Sequence, residues 1–189
     1  LAEENVQNIL FDENKIKICS IGTLKKSKGF DRLLRVHKKL YDEGYPVHTY
    51  ILGEGNERKK LEEYVVSHHL ETTVSFLGYQ INPYKYLSKC DLFVCTSFAE
   101  GFSTAATEAL IVGTPVCTVD VSGMKEMLGE HNEYGIITDN DEAAFYKGIK
   151  RLLDDHELLQ HYKRQALIRG KKFQTDSTVR SVENMFVEL

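Results

Sequence analysis

No stretch of this chain is apolar for the ~20 residues that a membrane-crossing helix needs, and its start, Leu-Ala-Glu-Glu-Asn-Val, lacks the basic region and apolar core of a signal peptide. Basic residues are not in excess. Lys and Arg number 24 against 28 Asp and Glu, a net charge of −4, which argues against a general nucleic-acid binder. The four cysteines (Cys19, Cys90, Cys95, Cys117) form no Cys-x-x-Cys pair of the kind that holds zinc. Cys19 and Cys117 fall inside expected strands, where thiols act as small buried hydrophobes. Cys90 and Cys95 bracket another strand, on opposite faces of it. Buried free thiols suit a reducing cytoplasm. His68 and His69 are neighbours on an expected helix and point about 100° apart, so they share no metal there. His37 lies on the apolar face of Phe30, Leu33, Leu34, Leu40 and Tyr41 and reads as a packed, hydrogen-bonded histidine.

What is present is a regular alternation. Apolar strand-like runs occur at 16–21, 47–52, 73–77, 92–95, 115–119 and 134–137. Helical patterns occur at 30–43, 57–69, 83–88, 104–112, 123–128, 141–154, 157–171 and 177–188. Leu61, Tyr64, Val65 and His68 give the i, i+3, i+4, i+7 stripe of a helix lying on a sheet. Strict β-α alternation predicts an α/β fold: a Rossmann-like, doubly wound parallel sheet of about six strands with helices on both faces. The length suits one domain over 15–189, preceded by a loose lead-in over 1–14. Such sheets bind ligands at the carboxyl ends of their strands, near the switch in strand order. Gly22, Gly53, Gly78 and Gly101 all follow strands, where a backbone must approach a ligand closely.

The richest segment runs from Ser97 to Pro115. Glu100 and Glu108 stand eight positions apart, with Gly101, Phe102 and the small residues Ser103, Thr104, Ala105, Ala106 and Thr107 between them. Leu92 to Cys95 reads as a buried strand before the turn, and the helix after it stops near Gly113 and Pro115. A strand, a glycine turn and a helix opened by small residues leave backbone N–H groups outward, which is an anion site. Neither Ser103 nor Thr104 has a Glu or Gln three residues on, so the helix lacks a capping box, and a bound phosphate could supply the missing partner to N–H groups of Phe102 to Ala105. The carboxylates suit hydroxyl donors and not phosphate, which would repel them. Without this context the pair would read as an exposed, charged helix surface. Lys25, Lys26 and Lys28 cluster after the first strand, where fixed positive charge neutralises phosphate charge developing on a leaving group. The bland alternative is a solvated lysine loop.

Glu100-Gly101-Phe102 with Glu108-Ala109 and Gly113-Thr114-Pro115 resembles the Glu-x7-Glu signature of retaining GT-B glycosyltransferases, the glycosyl transferases group 1. Ile21-Gly22-Thr23-Leu24 with Lys28-Gly29-Phe30 is similar to that family's first strand and phosphate loop. Ile51 to Gly55, Val74 to Gly78, Val116 to Glu126 and Gly135-Ile136-Ile137 follow in the family's order. The resemblance implies that Lys28 binds the diphosphate, that Glu100 contacts the transferred sugar and that Glu108 contacts the ribose. Lys28 and Glu100 are thereby the expected catalytic residues. Gly22, Thr23, Lys25, Lys28, Gly53, Gly78, Tyr79, Glu100, Gly101, Phe102, Ser103, Thr104, Ala105 and Glu108 are the expected donor contacts. Thr23 departs from the arginine usual there, so Lys25 or Lys26 substitutes or a phosphate contact is missing; lysine supplies a point charge where arginine is bidentate. Tyr79 could stack on a base or be a plain exposed turn residue, and the Gln80 amide or the backbone could read the base edge. Glu126 reads as a structural helix cap, and the stripe Val179, Val182, Phe186, Val187 of a final helix is expected to be partly exposed.

All matched landmarks belong to the family's carboxyl-terminal, donor-binding half, and the chain lacks an initiating methionine. The expectation is therefore one half of a longer enzyme, inactive alone, that moves a sugar from a nucleotide-sugar, by family frequency a UDP-sugar with GDP-sugars left open, to an acceptor hydroxyl with retention. No metal and no cofactor is expected, the nucleotide-sugar being a substrate. Expected partners are that donor and a saccharide or lipid-linked saccharide acceptor, with no nucleic acid. The setting implied is bacterial surface polysaccharide synthesis in the cytoplasm, at the inner membrane face, with membrane contact through the other half. Rival readings are a nucleotide-sugar epimerase, a binding module without transfer activity, and an oxidoreductase domain. The last is weakened because Gly53-Glu54-Gly55 follows the second strand and Arg58 replaces the third glycine of G-x-G-x-x-G.

Overall fold

A computed structural model describes residues 11–187, with side chains described as far as Phe173. Six strands, β1 (Ile16–Ile21), β2 (Val47–Leu52), β3 (Val74–Gly78), β4 (Leu92–Cys95), β5 (Val116–Val119) and β6 (Ile136–Thr138), form one sheet in the order β3-β2-β1-β4-β5-β6. Every pairing is parallel. The strands are apolar almost throughout because helices cover both faces. β1 and β2 pair in register from Ile16 opposite Val47 to Ile21 opposite Leu52. The chain then returns from β3 at the edge to β4 beside β1, so the loops after β1 and β4 diverge and leave a crevice between them.

The helices are α1 (Phe30–Asp42), α2 (Arg58–Ser67), α3 (Tyr84–Leu87), α4 (Thr104–Ile111), α5 (Met124–Leu128), α6 (Glu142–Asp154) and α7 (His156–Val187). One core layer joins Leu33, Leu34 and Leu40 of α1 and Phe145 and Ile149 of α6 to Ile18, Ile51 and Val94 of the sheet. The other joins Ala106, Ala109 and Leu110 of α4 and Ala166 of α7 to Cys19, Phe93 and Val116. His37 is buried within α1, its ring nitrogens 2.8 Å from the Thr49 hydroxyl and 3.0 Å from that of Thr73, and burial lowers its pKa to about 4. All four cysteines are free and buried.

The expected elements appear with ends moved by a residue or two, with one difference in kind. The helices expected at 157–171 and 177–188 are a single α7. Lys171 to Thr175 contains no glycine or proline, so nothing in the backbone stops the helix there. Gly170 inside it is a packing residue: a Cβ there would sit 2.2 Å from the Leu110 carbonyl oxygen, and its absence lets α7 lie against α4. The apolar stripe from Val179 to Val187 lies outside the described side chains, as residues 1–10 of the lead-in lie outside the described residues. Phe11 packs on Tyr50, ring centroids 4.8 Å apart. Among the described residues no helix is long and apolar enough to cross a membrane.

Candidate functional site

The crevice between the loops after β1 and β4 opens into a cavity of about 560 Å³, walled also by the loops after β2 and β3 and by the start of α4. Lys28 ends a short 3₁₀ turn, Lys26–Lys28, that closes the β1 loop. Its ammonium donates to Glu100 Oε2 at 2.6 Å, and the Ser97 hydroxyl donates to the same oxygen at 2.9 Å. The Lys28 and Glu100 side chains are 23% and 13% exposed, so this is a largely desolvated pair rather than a surface contact. The two loops are also laced together behind the pair. Thr96 Oγ1 donates to the Lys28 carbonyl at 2.9 Å, and the Phe98 N–H donates to the Ser27 carbonyl at 2.9 Å. Buried Arg32, from α1, donates to the carbonyls of Thr96 and Ser97 and to Asn140 Oδ1, and its guanidinium lies over the Phe98 ring.

Glu108 occupies a different wall. It sits on α4, half-buried, and desolvation raises its carboxyl pKa. The Tyr84 phenol nearby is also raised, by burial first and then by the Glu108 charge. The two glutamates thus line one cavity in unlike surroundings, Glu100 paired with a cation and Glu108, among the described residues, in no ion pair.

The start of α4 carries a side-chain cap without a capping box. Ser103 is buried in extended conformation as the N-cap, and its hydroxyl accepts the Ala106 N–H at 3.3 Å, so that donor needs no phosphate. Capping requires only the serine; the reciprocal glutamate of a capping box is an addition. The N–H groups of Thr104 and Ala105, at the first two helical positions, have no helical carbonyl to reach, and both residues line the cavity.

Of the expected donor contacts, Gly22, Thr23, Lys28, Gly53, Tyr79, Glu100, Ser103, Thr104, Ala105 and Glu108 line the cavity. Lys25, Gly78, Gly101 and Phe102 stand off its wall, as does Lys26; Lys25 and Lys26 are exposed. Phe102 instead meets Phe173 of α7 edge-on, ring centroids 6.2 Å apart. Gly53 permits contact between two loops: its φ is +135°, and a Cβ would lie 1.9 Å from the Gly22 carbonyl oxygen. Tyr79 is 75% exposed at the rim. The Gln80 amide is engaged in holding its own turn, donating to the Leu77 carbonyl at 2.6 Å and accepting from the Tyr86 hydroxyl at 2.8 Å. Glu126 lies in the first turn of α5, but the N-cap there is Gly123 and no side chain caps the helix. Ser97 and Arg32 escaped sequence reasoning. Ser97 is three residues before Glu100, yet only the folded turn brings hydroxyl to carboxylate. A charged residue in the first turn of α1 beside Phe30 and Leu33 was the one available sign of Arg32. Among the described residues no three His, Cys, Asp or Glu side chains converge on a metal-sized site.

A six-stranded parallel sheet whose switch-point crevice presents a lysine and two glutamates defines a Rossmann-like domain of the GT-B glycosyltransferase type. The family model for glycosyl transferases group 1 matches residues 2–169, and the chain belongs to that family. A Campylobacter jejuni N-acetylgalactosamine-N,N'-diacetylbacillosaminyl-diphospho-undecaprenol 4-alpha-N-acetylgalactosaminyltransferase is 34% identical over 175 residues, 90% of this chain and 47% of that protein. The Staphylococcus aureus capsular polysaccharide biosynthesis glycosyltransferase CapM is 25% identical over 160 residues, 82% of this chain and 41% of that protein. Staphylococcus aureus TarM, solved with UDP and alpha-GlcNAc-glycerol, superposes with a TM-score of 0.79 at 25% identity, over 92% of this chain and 36% of that one. The chain spans about half the length, or less, of the relatives it matches.

Proposed function

We propose that this chain is the donor-binding half of a bacterial surface-polysaccharide glycosyltransferase, and that it takes a UDP-sugar and transfers the sugar with retention to the hydroxyl of a saccharide or lipid-linked saccharide. The observation that carries the reading is the convergence of Lys28, Glu100 and Glu108 on one cavity at the switch point. Relatives that name an undecaprenol-linked acceptor and a bound UDP support the acceptor and donor classes.

In this reading the diphosphate lies against the N–H groups of Thr104 and Ala105 and against Lys28, whose ammonium stabilises the negative charge that grows as the anomeric carbon–oxygen bond breaks. Glu100 accepts hydrogen bonds from sugar hydroxyls, and Glu108 accepts them from the ribose diol. Tyr79 stacks on the base at the rim. The nucleotide-sugar is a substrate, and no cofactor or metal is invoked. Acceptor groups come from a second half, and the reaction runs in the cytoplasm at the inner membrane face.

Ligand-observed NMR of the chain with UDP, GDP, NAD and UDP-sugars tests this. Uridine signals should be perturbed by the native chain and restored to their free values with Glu108→Ala. Binding of NAD alone would replace the reading with a dinucleotide domain.

A further inference from the structure

Three consecutive residues after β4 are each gripped by the carbonyl and each spend another polar group on the site. Arg32 Nη2 donates to the carbonyl of Thr96 and, at 3.4 Å, to that of Ser97; Asn140 Nδ2 donates to that of Phe98 at 3.4 Å. In the other direction, Thr96 Oγ1 donates to the Lys28 carbonyl, the Ser97 hydroxyl to Glu100 Oε2, and the Phe98 N–H to the Ser27 carbonyl. The two gripping side chains are themselves joined, Arg32 Nη1 donating to Asn140 Oδ1 at 2.9 Å. Arg32 is 3% exposed and stands off the cavity wall. Among the described residues it forms no ion pair, and its Nε has no partner.

A buried guanidinium without a counter-charge is a poor source of stability, because an apolar side chain of similar volume packs without desolvating a charge. What it supplies is direction. Its planar fork of fixed donors sets the angle of the peptide units it holds, which apolar contact does not. We infer that Arg32, braced by Asn140, is a positioning residue for the transfer reaction. It fixes the turn after β4 so that the Glu100 carboxylate meets the Lys28 ammonium at the cavity wall, and it touches no substrate itself. The kinetic consequence rests on the donor-site reading; the structural one rests on these hydrogen bonds alone.

Two variants test it: Arg32→Lys, which keeps the charge and loses the fork, and Asn140→Ala. Asn140 is exposed, so its variant carries the test if Arg32→Lys does not fold. In the 189-residue chain, hydrogen exchange at the Phe98 amide should quicken at least about tenfold in both variants, while that at Phe93 within β4 keeps its native rate. In the enzyme carrying this domain with its acceptor half, Arg32→Lys should lower kcat at least about tenfold with donor KM within about threefold of native. Asn140→Ala should show the same split at smaller size. Native-rate exchange at Phe98 in both variants overturns the inference. So does an unchanged kcat, or a fall in kcat matched by an equal rise in donor KM, in variants whose Phe98 amide exchanges faster. UDP titration of the native chain tests the donor reading separately. Absence of UDP binding overturns that reading and the kinetic half of the inference with it, whereas UDP binding without the kinetic split overturns the inference alone.

Discussion

Replacing Glu100 with glutamine should make the chain bind UDP more tightly, although the reading makes Glu100 a sugar-contacting residue. The Lys28 ammonium is held at 2.6 Å by Glu100 Oε2. A diphosphate reaching that ammonium lies roughly 5 Å from the carboxylate and is repelled by it. At an effective dielectric of about 20 the repulsion is ~3 kcal/mol, and partial exposure with physiological salt reduces it to ~1–1.5 kcal/mol. Glutamine keeps the shape, removes the charge and releases Lys28, so UDP affinity should rise about tenfold. Isothermal titration of native and Glu100→Gln chains with UDP and with uridine measures this. Uridine, without phosphates, should be unaffected, and the UDP gain should shrink in high salt. Weaker UDP binding by the variant, or an equal gain for uridine, would refute the argument that the pair gates phosphate access.

Lys28→Ala, in the enzyme carrying this domain with its acceptor half, should lower turnover about 10²-fold or more, the ~3 kcal/mol scale of one lost charge-stabilising donor; an unchanged rate would transfer the role to Lys25 or Lys26. Gly53→Ala meets the Gly22 carbonyl oxygen and a φ of +135°, and should cost ~3 kcal/mol or more, lowering the melting midpoint by on the order of 10 °C. Burial raises the Glu108 carboxyl in the folded chain, so the stability linked to it is present below the unfolded pKa and is lost as pH rises through the raised value. Glu108→Gln should therefore melt no lower than the native chain at pH 7 while binding uridine about tenfold more weakly, measured by calorimetry and NMR. His37, held near pKa 4 by burial, contributes stability that is present above its unfolded value and lost as pH falls toward 4. Urea titrations at pH 7 and pH 4.5 should differ by roughly 2.4 kcal/mol from this group, and His37→Leu should flatten that part of the slope.

The sequence by itself determined the sheet. Apolar runs of four to six residues alternating with amphipathic helices leave one economical architecture, because parallel strands buried on both faces need a helix in every crossover. It also located the carboxylate turn and the β1 lysine loop, since short-range spacing and glycine chemistry are local properties. The tertiary structure alone decided which of those residues meet. Glu100 and Lys28 are 72 positions apart and touch only because β4 returns beside β1. Lys25 and Phe102 stand off the cavity despite lying in the same motifs, and the Gln80 amide is engaged by Tyr86 of α3 and its own turn. Periodicity specifies which face of an element is apolar, whereas the partner of a polar group depends on loop positions that long-range strand order sets.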